Sequence, residues 1–414
     1  MKTGISLFVF IILENGCILK SGRLLSENLF LAARGGFQGF FRYDDDFLSL
    51  PGSYPIDPIN LPLSNNLFRA NRPADGIHGV FSDSLPGAWG ERILAHKAGL
   101  LNQHYAPAHL LEALGTGGLG ALMYSVAERP PIAIADPSLD FTELAETLRE
   151  ANRYEKAFGQ RPLELKYLAS GGYSAGGARP KVLVRQGGEY LLAKFGSVHD
   201  RNLSENVRLE AAGLELGKRI GLIVPEFRIE MIGKRPVLLV NRFDVTPIGG
   251  RRGIVSFRTL LSWDNHPGTM AYANLGEIIR KISVDPRGDL ERLFKQMVFN
   301  ILIINTDDHL QNFSMMYADG WRLSPAYDLV PNLWRDEHLL MVDGKLSGLT
   351  VDNAIAEGRR FGLTRKKCLT LLQEVASGFA GWHKVIRHPL MQGRIKERMS
   401  SFGLEPRIRN PSRP

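Results

Sequence analysis

Acidic and amide side chains are concentrated in one short stretch, residues 305–312 (NTDDHLQN), and a further acidic residue follows at position 328. Asp307 and Asn312 are five positions apart, which is the separation between the catalytic base and the amide metal ligand of protein kinases. A phosphoryl-transfer site needs a base for the acceptor hydroxyl and oxygen ligands for the metal ions that hold the phosphates. The spacing therefore predicts Asp307 as the base and Asn312 and Asp328 as metal ligands.

The segment before this cluster has the pattern of a buried helix. Asn, Asp and His clusters also form ordinary loops, because their short side chains bond to nearby backbone groups. Here, however, apolar residues recur at helical spacing after Asp289, which we expect to be the N-cap. The apolar residues are Leu290, Leu293, Phe294, Met297, Val298, Ile301 and Leu302. A rigid helix positions polar groups better than a surface loop does, so a catalytic role is favoured.

A glycine-rich segment, residues 170–181 (SGGYSAGGARPK), leads directly into a β-branched stretch. Glycines let backbone amides approach phosphate oxygens, and successive amides form a concavity that binds anions. A hairpin signal at residues 186–188 and a second strand at residues 189–195 follow, and that strand carries Lys194. A helix then presents Glu210 beside its buried stripe. No Gly-Lys followed by Ser or Thr stands at the head of a helix, which disfavours a P-loop NTPase.

The order of these elements matches the small lobe of a protein kinase. Such a lobe presents, in sequence, its phosphate loop, its phosphate-binding lysine and the glutamate that orients that lysine. Taken singly, a solvated Lys194 or a surface Glu210 is the plainer interpretation, because charged side chains are mostly exposed. Their order relative to Asp307 and Asn312 favours a phosphoryl-transfer enzyme.

Together these motifs resemble those of the HipA-like serine/threonine kinases, the toxin components of bacterial type II toxin-antitoxin systems. The resemblance covers most of the chain. It is carried by residues 79–90 (GVFSDSLPGAWG), residues 174–181, the Lys194 strand, residues 242–244, residues 306–314 (TDDHLQNFS) and residues 323–328 (LSPAYD). It implies an α+β, protein-kinase-like bilobal fold, with a small β-rich lobe, a helical large lobe and an N-terminal α/β domain.

The resemblance implies a role for each matching residue. Asp307 would be the catalytic base, and Asn312 and Asp328 would bind Mg²⁺. The implied ATP-binding residues are Ser174, Gly176, Gly177, Ala178, Arg179, Pro180, Lys181, Lys194, Glu210, Asn241, Arg242, Phe243, His309, Asn312, Tyr327 and Asp328.

Some of these residues have more specific implied roles. Residues 241–243 would form the hinge against adenine, and family members phosphorylate themselves at the position of Ser174. We expect His309 to brace its loop rather than to accept a proton. Asp308 receives no catalytic role, because its position varies in the family.

The resemblance also implies macromolecular partners. The substrate would be a translation component such as an aminoacyl-tRNA synthetase. A small helix-turn-helix antitoxin, similar to HipB, would bind the chain, and DNA would be contacted only through that complex. Two other classes of function stay open: a small-molecule kinase, and a non-catalytic regulator complexed with antitoxin and DNA. The full set of Lys194, Asp307, Asn312 and Asp328 argues against the regulator.

Length and composition indicate several domains. A chain of 414 residues with 44% hydrophobic content can bury more than one core. We expect an N-terminal HipA-type α/β domain over residues 1–125, a connector over 126–149, a small lobe over 150–248 and a helical large lobe over 249–414. The two cysteines, Cys17 and Cys368, have no metal-type spacing, which fits a cytoplasmic protein without disulfides.

Two terminal features bear on membrane and nucleic-acid binding. The apolar run at residues 5–13 is too short to span a bilayer, and Asn15-Gly16 after it predicts a hairpin. We therefore expect a buried N-terminal strand and no membrane association. The net charge is +8, and residues 384–414 hold eight Lys or Arg against two Glu. Because no recognition-helix motif accompanies this charge, we expect a solvated tail rather than a DNA-binding segment.

Overall fold

The structure, a computed structural model, describes residues 4–28, 36–70, 76–101, 105–131, 138–157, 165–170, 179–200, 202–262, 268 and 270–404. Its strands are β1 Ile5–Ile12, β2 Ile18–Asn28, β3 Phe37–Tyr43, β4 Phe68–Arg69, β5 Leu122–Ser125, β6 Leu139–Asp140, β7 Lys181–Gln186, β8 Glu189–Lys194, β9 Phe227–Ile232, β10 Arg235–Asn241, β11 Gly253–Ser256, β12 Ser314–Tyr317 and β13 Trp321–Leu323. Its helices are α1 Asp45–Ser49, α2 Gly79–Asp83, α3 Ala88–Lys97, α4 Pro107–Leu114, α5 Leu144–Lys156, α6 Tyr167–Ser170, α7 Glu205–Arg219, α8 Phe257–Leu260, α9 Tyr272–Ile282, α10 Pro286–Ile303, α11 Val351–Arg360, α12 Arg365–Phe379 and α13 Pro389–Phe402.

These elements form two compact units. The first unit contains Met1–Ser204 and Arg228–His266, and the second contains Glu205–Phe227 and Pro267–Pro414. The first unit holds two five-stranded sheets, and the second is mainly helical. The division into four domains expected from the sequence stays a prediction.

One sheet of the first unit is built from the N-terminal strands in the order β4-β3-β2-β1-β5. β1 pairs antiparallel with β2, from Ile5 opposite Ser26 to Ile12 opposite Ile18. The turn between them includes Gly16 at φ 82°, a conformation that glycine adopts without strain. The expected buried N-terminal strand and its hairpin are confirmed. In the described part of the chain, no helix is long and apolar enough to cross a membrane.

The other sheet of the first unit has the order β6-β7-β8-β10-β9 and contains the hairpin predicted at residues 186–188. β7 and β8 pair antiparallel from Lys181 opposite Lys194 to Gln186 opposite Glu189. Residues 187 and 188 both have positive φ, at 55° and 87°, which a tight hairpin turn requires and glycine permits. The inward side chains of this hairpin are fully buried, so its register is fixed by the core.

Helix α10 lies at the centre of the second unit, where it packs against α9, α11, α12 and α13. The predicted helix is confirmed, but the expected N-cap at Asp289 is wrong. The cap is Asp285, whose side chain accepts from the Gly288 N–H at 3.0 Å, with Pro286 at the first helical position. Asp289 lies one turn further on, is fully buried and accepts the Leu323 N–H at 2.9 Å. An aspartate can cap a helix or accept hydrogen bonds inside the protein, so the residue type alone did not identify the cap.

The expectation of a solvated tail is wrong for residues 389–402. They form α13, whose inner face buries Met391, Ile395, Met399 and Phe402. These apolar residues recur every three to four positions, but the surrounding charge obscures the pattern in the sequence. At the edge of this buried face, Arg394 donates to the carbonyl of Asn332 at 2.7 Å. This arginine is therefore bound within the chain. Residues 405–414 lie outside the described residues.

Candidate active site

The polar cluster at residues 305–312 begins where α10 ends, as predicted. Ile304 closes the helix in the left-handed region, with φ 56° and ψ 42°, and is almost fully buried. This conformation is rare for a β-branched side chain, and surrounding packing must hold it. The Asn305 N–H then bonds the Asn300 carbonyl at 2.9 Å. The direction in which the chain leaves the helix is therefore fixed before it reaches Asp307.

Asp307 and Asp308 are neighbours in sequence with opposite environments. The side chain of Asp307 is 67% exposed, whereas that of Asp308 is 0% exposed. The amide of Asn312 donates to the backbone carbonyl of Asp307 at 2.7 Å. This bond occupies an N–H of Asn312 and leaves its side-chain oxygen as the group suited to a metal ion. Of the two adjacent acids, only Asp307 presents its carboxyl group to solvent.

The carboxyl group of Asp307 is easier to protonate than that of an ordinary aspartic acid. Although most of the side chain is exposed, the surrounding protein removes part of the hydration of the carboxyl group and so raises its pKa, and the nearby acidic groups of Asp328 and Asp308 act in the same direction. His309 and Arg335 oppose this rise. A raised pKa suits a group that must accept a proton during a reaction and release it afterwards.

Asp328 is held beside this loop by two polar contacts of its own segment. Tyr327 donates its hydroxyl to the Gln311 carbonyl at 2.9 Å, within the turn that carries Asn312. The side-chain amide of Asn305 lies 3.3 Å from the Asp328 carbonyl. Asp328 has φ 52°, in the left-handed region that is rare for residues other than glycine. Backbone strain of this kind is found at functional sites.

The donor set of Asn312 and Asp328 fits a magnesium ion that also binds phosphates. Among the described residues, no three His, Cys, Asp or Glu side chains cluster as a metal-binding set. An all-protein metal cage of those side chains is therefore not formed there. Mg²⁺ is usually held by one or two protein oxygen ligands, with water and substrate phosphates completing the shell. Two protein ligands next to a base agree with that mode of binding.

His309 lies near the expected base but not within hydrogen-bonding distance of it. Its Nε2 is 3.8 Å from Asp307 Oδ1, and its Nδ1 is buried with no hydrogen-bond partner among the described residues. Sequence reasoning gave no role to Arg335, whose charge also acts on Asp307. Arg335 lies outside every motif, and only the folded chain brings it close.

In the first unit, the hairpin places Lys181 directly opposite Lys194. Lys181 is buried, with 5% of its surface exposed. Like charges directly opposite each other in a sheet repel, so a group of opposite charge beside them stabilises the pair. The glycine-rich segment precedes Lys181, and its residues Ser174, Gly176, Gly177 and Ala178 lie outside the described residues.

The rest of this segment is anchored to its neighbours. Arg179 forms an ion pair with Asp200 at 3.3 Å, and the Pro180 carbonyl accepts the Phe195 N–H at 3.3 Å. Glu210 is on α7 in the second unit, whereas Lys194 is in the first. The ion pair expected between them stays a prediction.

The expected hinge, residues 241–243, follows β10. Arg242 donates its backbone N–H to the Tyr190 carbonyl at 2.8 Å, and its side chain, 2% exposed, is 2.6 Å from Asp244. Burial disfavours the charged form of Asp244, but Arg242 and Arg251 hold its pKa below the usual range. The Arg242 side chain is therefore committed to a buried ion pair. Any contact of this residue with adenine would come from its backbone.

Comparison with known proteins agrees with this geometry. The HipA-like C-terminal domain matches residues 173–382, and the HipA N-terminal domain matches residues 28–125. The chain belongs to the HipA-like family. Two curated relatives, both from Sinorhizobium fredii (strain NBRC 101917 / NGR234), are named "Putative kinase Y4mE" and "Putative kinase Y4dM". The first is 28% identical over 75% of each chain, and the second is 27% identical over 61% of this chain and 62% of its own length.

A solved structure confirms the fold class. The HipA protein of Shewanella oneidensis MR-1, determined in a complex with HipB and operator DNA, matches with a TM-score of 0.69. The match covers 96% of both chains at 19% sequence identity. At that level of identity the likeness concerns the fold, which is the expected α+β, kinase-like fold of HipA.

Proposed function

We propose that this HipA-like protein is an ATP- and Mg²⁺-dependent serine/threonine protein kinase of the toxin type, acting in the cytoplasm. One observation carries the proposal. In the second unit, an exposed Asp307 with a raised pKa stands beside Asn312 and Asp328, two residues able to bind a metal ion. The names of the Sinorhizobium relatives and the family support the same activity.

In the proposed mechanism, Lys181 and Lys194 bind the phosphates of ATP, and the backbone of the glycine-rich segment assists them. The oxygen of a Ser or Thr hydroxyl attacks the γ-phosphorus, the bond from that phosphorus to the β–γ bridging oxygen breaks, and ADP leaves. The hydroxyl proton passes to the carboxyl group of Asp307. Asn312 and Asp328 would hold Mg²⁺, which supplies neutralisation of phosphate charge when bound. The main contribution of the protein is alignment, because little covalent chemistry is left to it.

The substitution Asp307→Asn tests the mechanism directly. It should keep nucleotide binding, because Asp307 is assigned to the proton and not to the phosphates. It should lower phosphoryl transfer by about 100-fold or more, within the range for loss of a general base. Transfer is measured as radiolabelled phosphate incorporated into protein, and nucleotide binding by calorimetry. Asp352→Asn, an exposed aspartate on α11, is the matched control. Near-normal transfer by Asp307→Asn would exclude this role.

The acceptor and partner are finer points of the same proposal. We assign autophosphorylation to Ser174, a translation component such as an aminoacyl-tRNA synthetase as the external substrate, and a HipB-like helix-turn-helix protein as the antitoxin. The Shewanella HipA was solved with HipB and operator DNA, which supports such a partner. Mass spectrometry of the wild type incubated with MgATP should find phosphate on Ser174. Fast phosphorylation of a metabolite without modified Ser174 would instead favour a small-molecule kinase.

A further inference from the structure

A chain of buried polar side chains runs beneath the proposed catalytic loop. Asp308 is 0% exposed and accepts two hydrogen bonds at 2.8 Å, from the Tyr272 hydroxyl and from the Leu339 N–H. His338 Nδ1 lies 3.0 Å from the same oxygen that Tyr272 contacts. Two separate segments of the second unit, one with Tyr272 and one with His338 and Leu339, therefore converge on one carboxyl group, next in sequence to the proposed base.

The chain of contacts continues from Tyr272 to the segment of the proposed metal ligand. The Tyr272 hydroxyl accepts from the side-chain amide of Asn300 at 3.0 Å. Asn300 in turn accepts from Asn305 at 3.1 Å, and the same amide nitrogen of Asn305 is 3.3 Å from the Asp328 carbonyl. Tyr272, Asn300 and Asn305 are all buried. One end of this polar chain thus adjoins Asp307, and the other contacts the backbone of Asp328.

A purely structural role is the first alternative to consider. Buried polar groups are costly unless they are paired, and an apolar core of the same shape would serve stability at least as well. Hydrogen bonds are directional, whereas apolar contacts are not. A polar network therefore fixes the orientation of its side chains, which an apolar core does not do. Such orientation matters most where two groups must keep a set separation, as a base and a metal ligand must.

We propose that Asp308 and Tyr272 are positioning residues that fix Asp307 relative to Asp328. This proposal rests on the proposed kinase activity. Asp308 anchors the inner side of the loop, and the bond from Asn312 to the Asp307 carbonyl anchors the peptide that joins Asp307 to Asp308. With the loop held from both sides, Asp307 keeps the one orientation in which its carboxyl group faces solvent.

The main test is Tyr272→Phe, which keeps the ring and removes only the hydroxyl. Loss of that group takes one donor from Asp308 and one acceptor from Asn300, so the loop can shift without a cavity. We expect kcat to fall by about 10- to 100-fold, the loss that follows from displacing a reacting group by about 1 Å. The KM for ATP should rise by less than kcat falls, since only the metal-dependent part of nucleotide binding involves Asp328.

A second readout is independent of turnover. In the wild type, Mg²⁺ should strengthen ADP binding, and calorimetry with ADP alone and with MgADP measures the gain. If Tyr272 helps to position Asp328, Tyr272→Phe should reduce that gain by several-fold and leave the affinity for metal-free ADP unchanged. Asp308→Asn should show the same pattern in a stronger form.

The matched control is Asp57→Asn. Asp57 is also fully buried and accepts from the Ile59 N–H at 3.0 Å, the Asn60 N–H at 3.0 Å and the Asn60 side-chain amide at 2.8 Å. These contacts lie in the first unit and include no member of the polar chain. The control should lose thermal stability as Asp308→Asn does, but its kcat should stay within about 2-fold of the wild type.

The outcomes separate the two proposals. Tyr272→Phe and Asp308→Asn could have the same kcat as the control, with ADP binding strengthened by Mg²⁺ as much as in the control. In that case the network is structural and the positioning role is wrong. Alternatively, the wild type could transfer no phosphate under any condition, while Mg²⁺ strengthens ADP binding in the wild type but not in Tyr272→Phe. The kinase proposal would then be wrong, but the positioning of Asp328 would be supported.

Discussion

At the scale of single residues, the charge environment of Asp307 sets the pH range in which it can act. Burial and the neighbouring acids raise its pKa, whereas Arg335 and His309 lower it. A base must be deprotonated to accept a proton, so activity should fall as the pH drops through this raised pKa. The acid limb of kcat/KM should therefore lie above the value of about 3.9 that is typical of an exposed aspartic acid.

Arg335→Gln should move that acid limb to higher pH. Removing a cation that favours the charged carboxylate raises the pKa of Asp307 further, so more of the enzyme is protonated at a given acidic pH. The measurement is the pH profile of kcat/KM for phosphoryl transfer. Arg287→Gln is the control, because its side chain is 86% exposed at the start of α10. An acid limb that does not move, or that moves to lower pH, contradicts the assignment of Asp307 as the titrating base.

At the scale of elements, helix α7 approaches the segment of Asp328 as closely as backbones allow. A Cβ atom at Gly213 would lie 1.9 Å from the Leu329 carbonyl oxygen. Only glycine fits there without a shift of the helix or of the segment after Asp328. The position of the proposed metal ligand thus depends on a small residue more than one hundred positions earlier in the chain.

Gly213→Ala should destabilise the protein and impair transfer beyond the loss of stability. Overpacking of this kind costs about 1–3 kcal/mol, and the displaced segment carries Asp328. Gly393→Ala is the matched control: it lies within α13 and has no atom within 4 Å of the added Cβ. That change should be neutral or stabilising by about 0.5–1 kcal/mol. Urea denaturation and initial transfer rates measure both effects, and equal behaviour of the two variants would refute the close-packing argument.

The elements also show what the sequence can predict. The hairpin of β7 and β8 was predicted because its turn glycines and apolar stretches are local signals, and α10 because its apolar period is strong. The burial of α13 was not predicted because the expectation of a solvated tail rested on the net positive charge of residues 384–414 rather than on the apolar period within residues 389–402. The contacts among Tyr272, Asn300 and Asp308 had no local signal at all, since residues far apart in sequence meet only in the folded chain.

At the scale of the whole molecule, packing joins elements that are far apart in the sequence. The sequence analysis assigned the helix of Glu210 to a small lobe over residues 150–248, and that division into domains stays a prediction. In the structure α7 belongs to the second unit, where it packs against α10 and α12. Sequence order records which elements are neighbours along the chain, whereas burial of apolar faces decides which of them pack together.

Ligand binding should stabilise the whole chain in a way that depends on phosphate number. Because Lys181 and Lys194 are proposed to bind the phosphates of ATP, stabilisation should increase from AMP to ADP to ATP in the presence of Mg²⁺. At 100 times its dissociation constant a ligand contributes about 2.7 kcal/mol, which is a shift of several degrees in Tm. Thermal unfolding measures this, with Lys194→Met expected to abolish the trend and Lys234→Met, an exposed lysine, to keep it. Equal shifts with AMP and ATP would argue against a triphosphate site.

The opposite environments of Asp307 and Asp308 bear on how this loop can evolve. Removing one residue between Ile304 and Asp307 would shift Asp308 to the exposed position that Asp307 now has, and Asp307 to the buried position of Thr306. A single amino-acid replacement changes one side chain, but a change of loop length would exchange the exposed and buried environments of both acids at once. Among natural variants, the number of residues in this loop should therefore be more constrained than their identity.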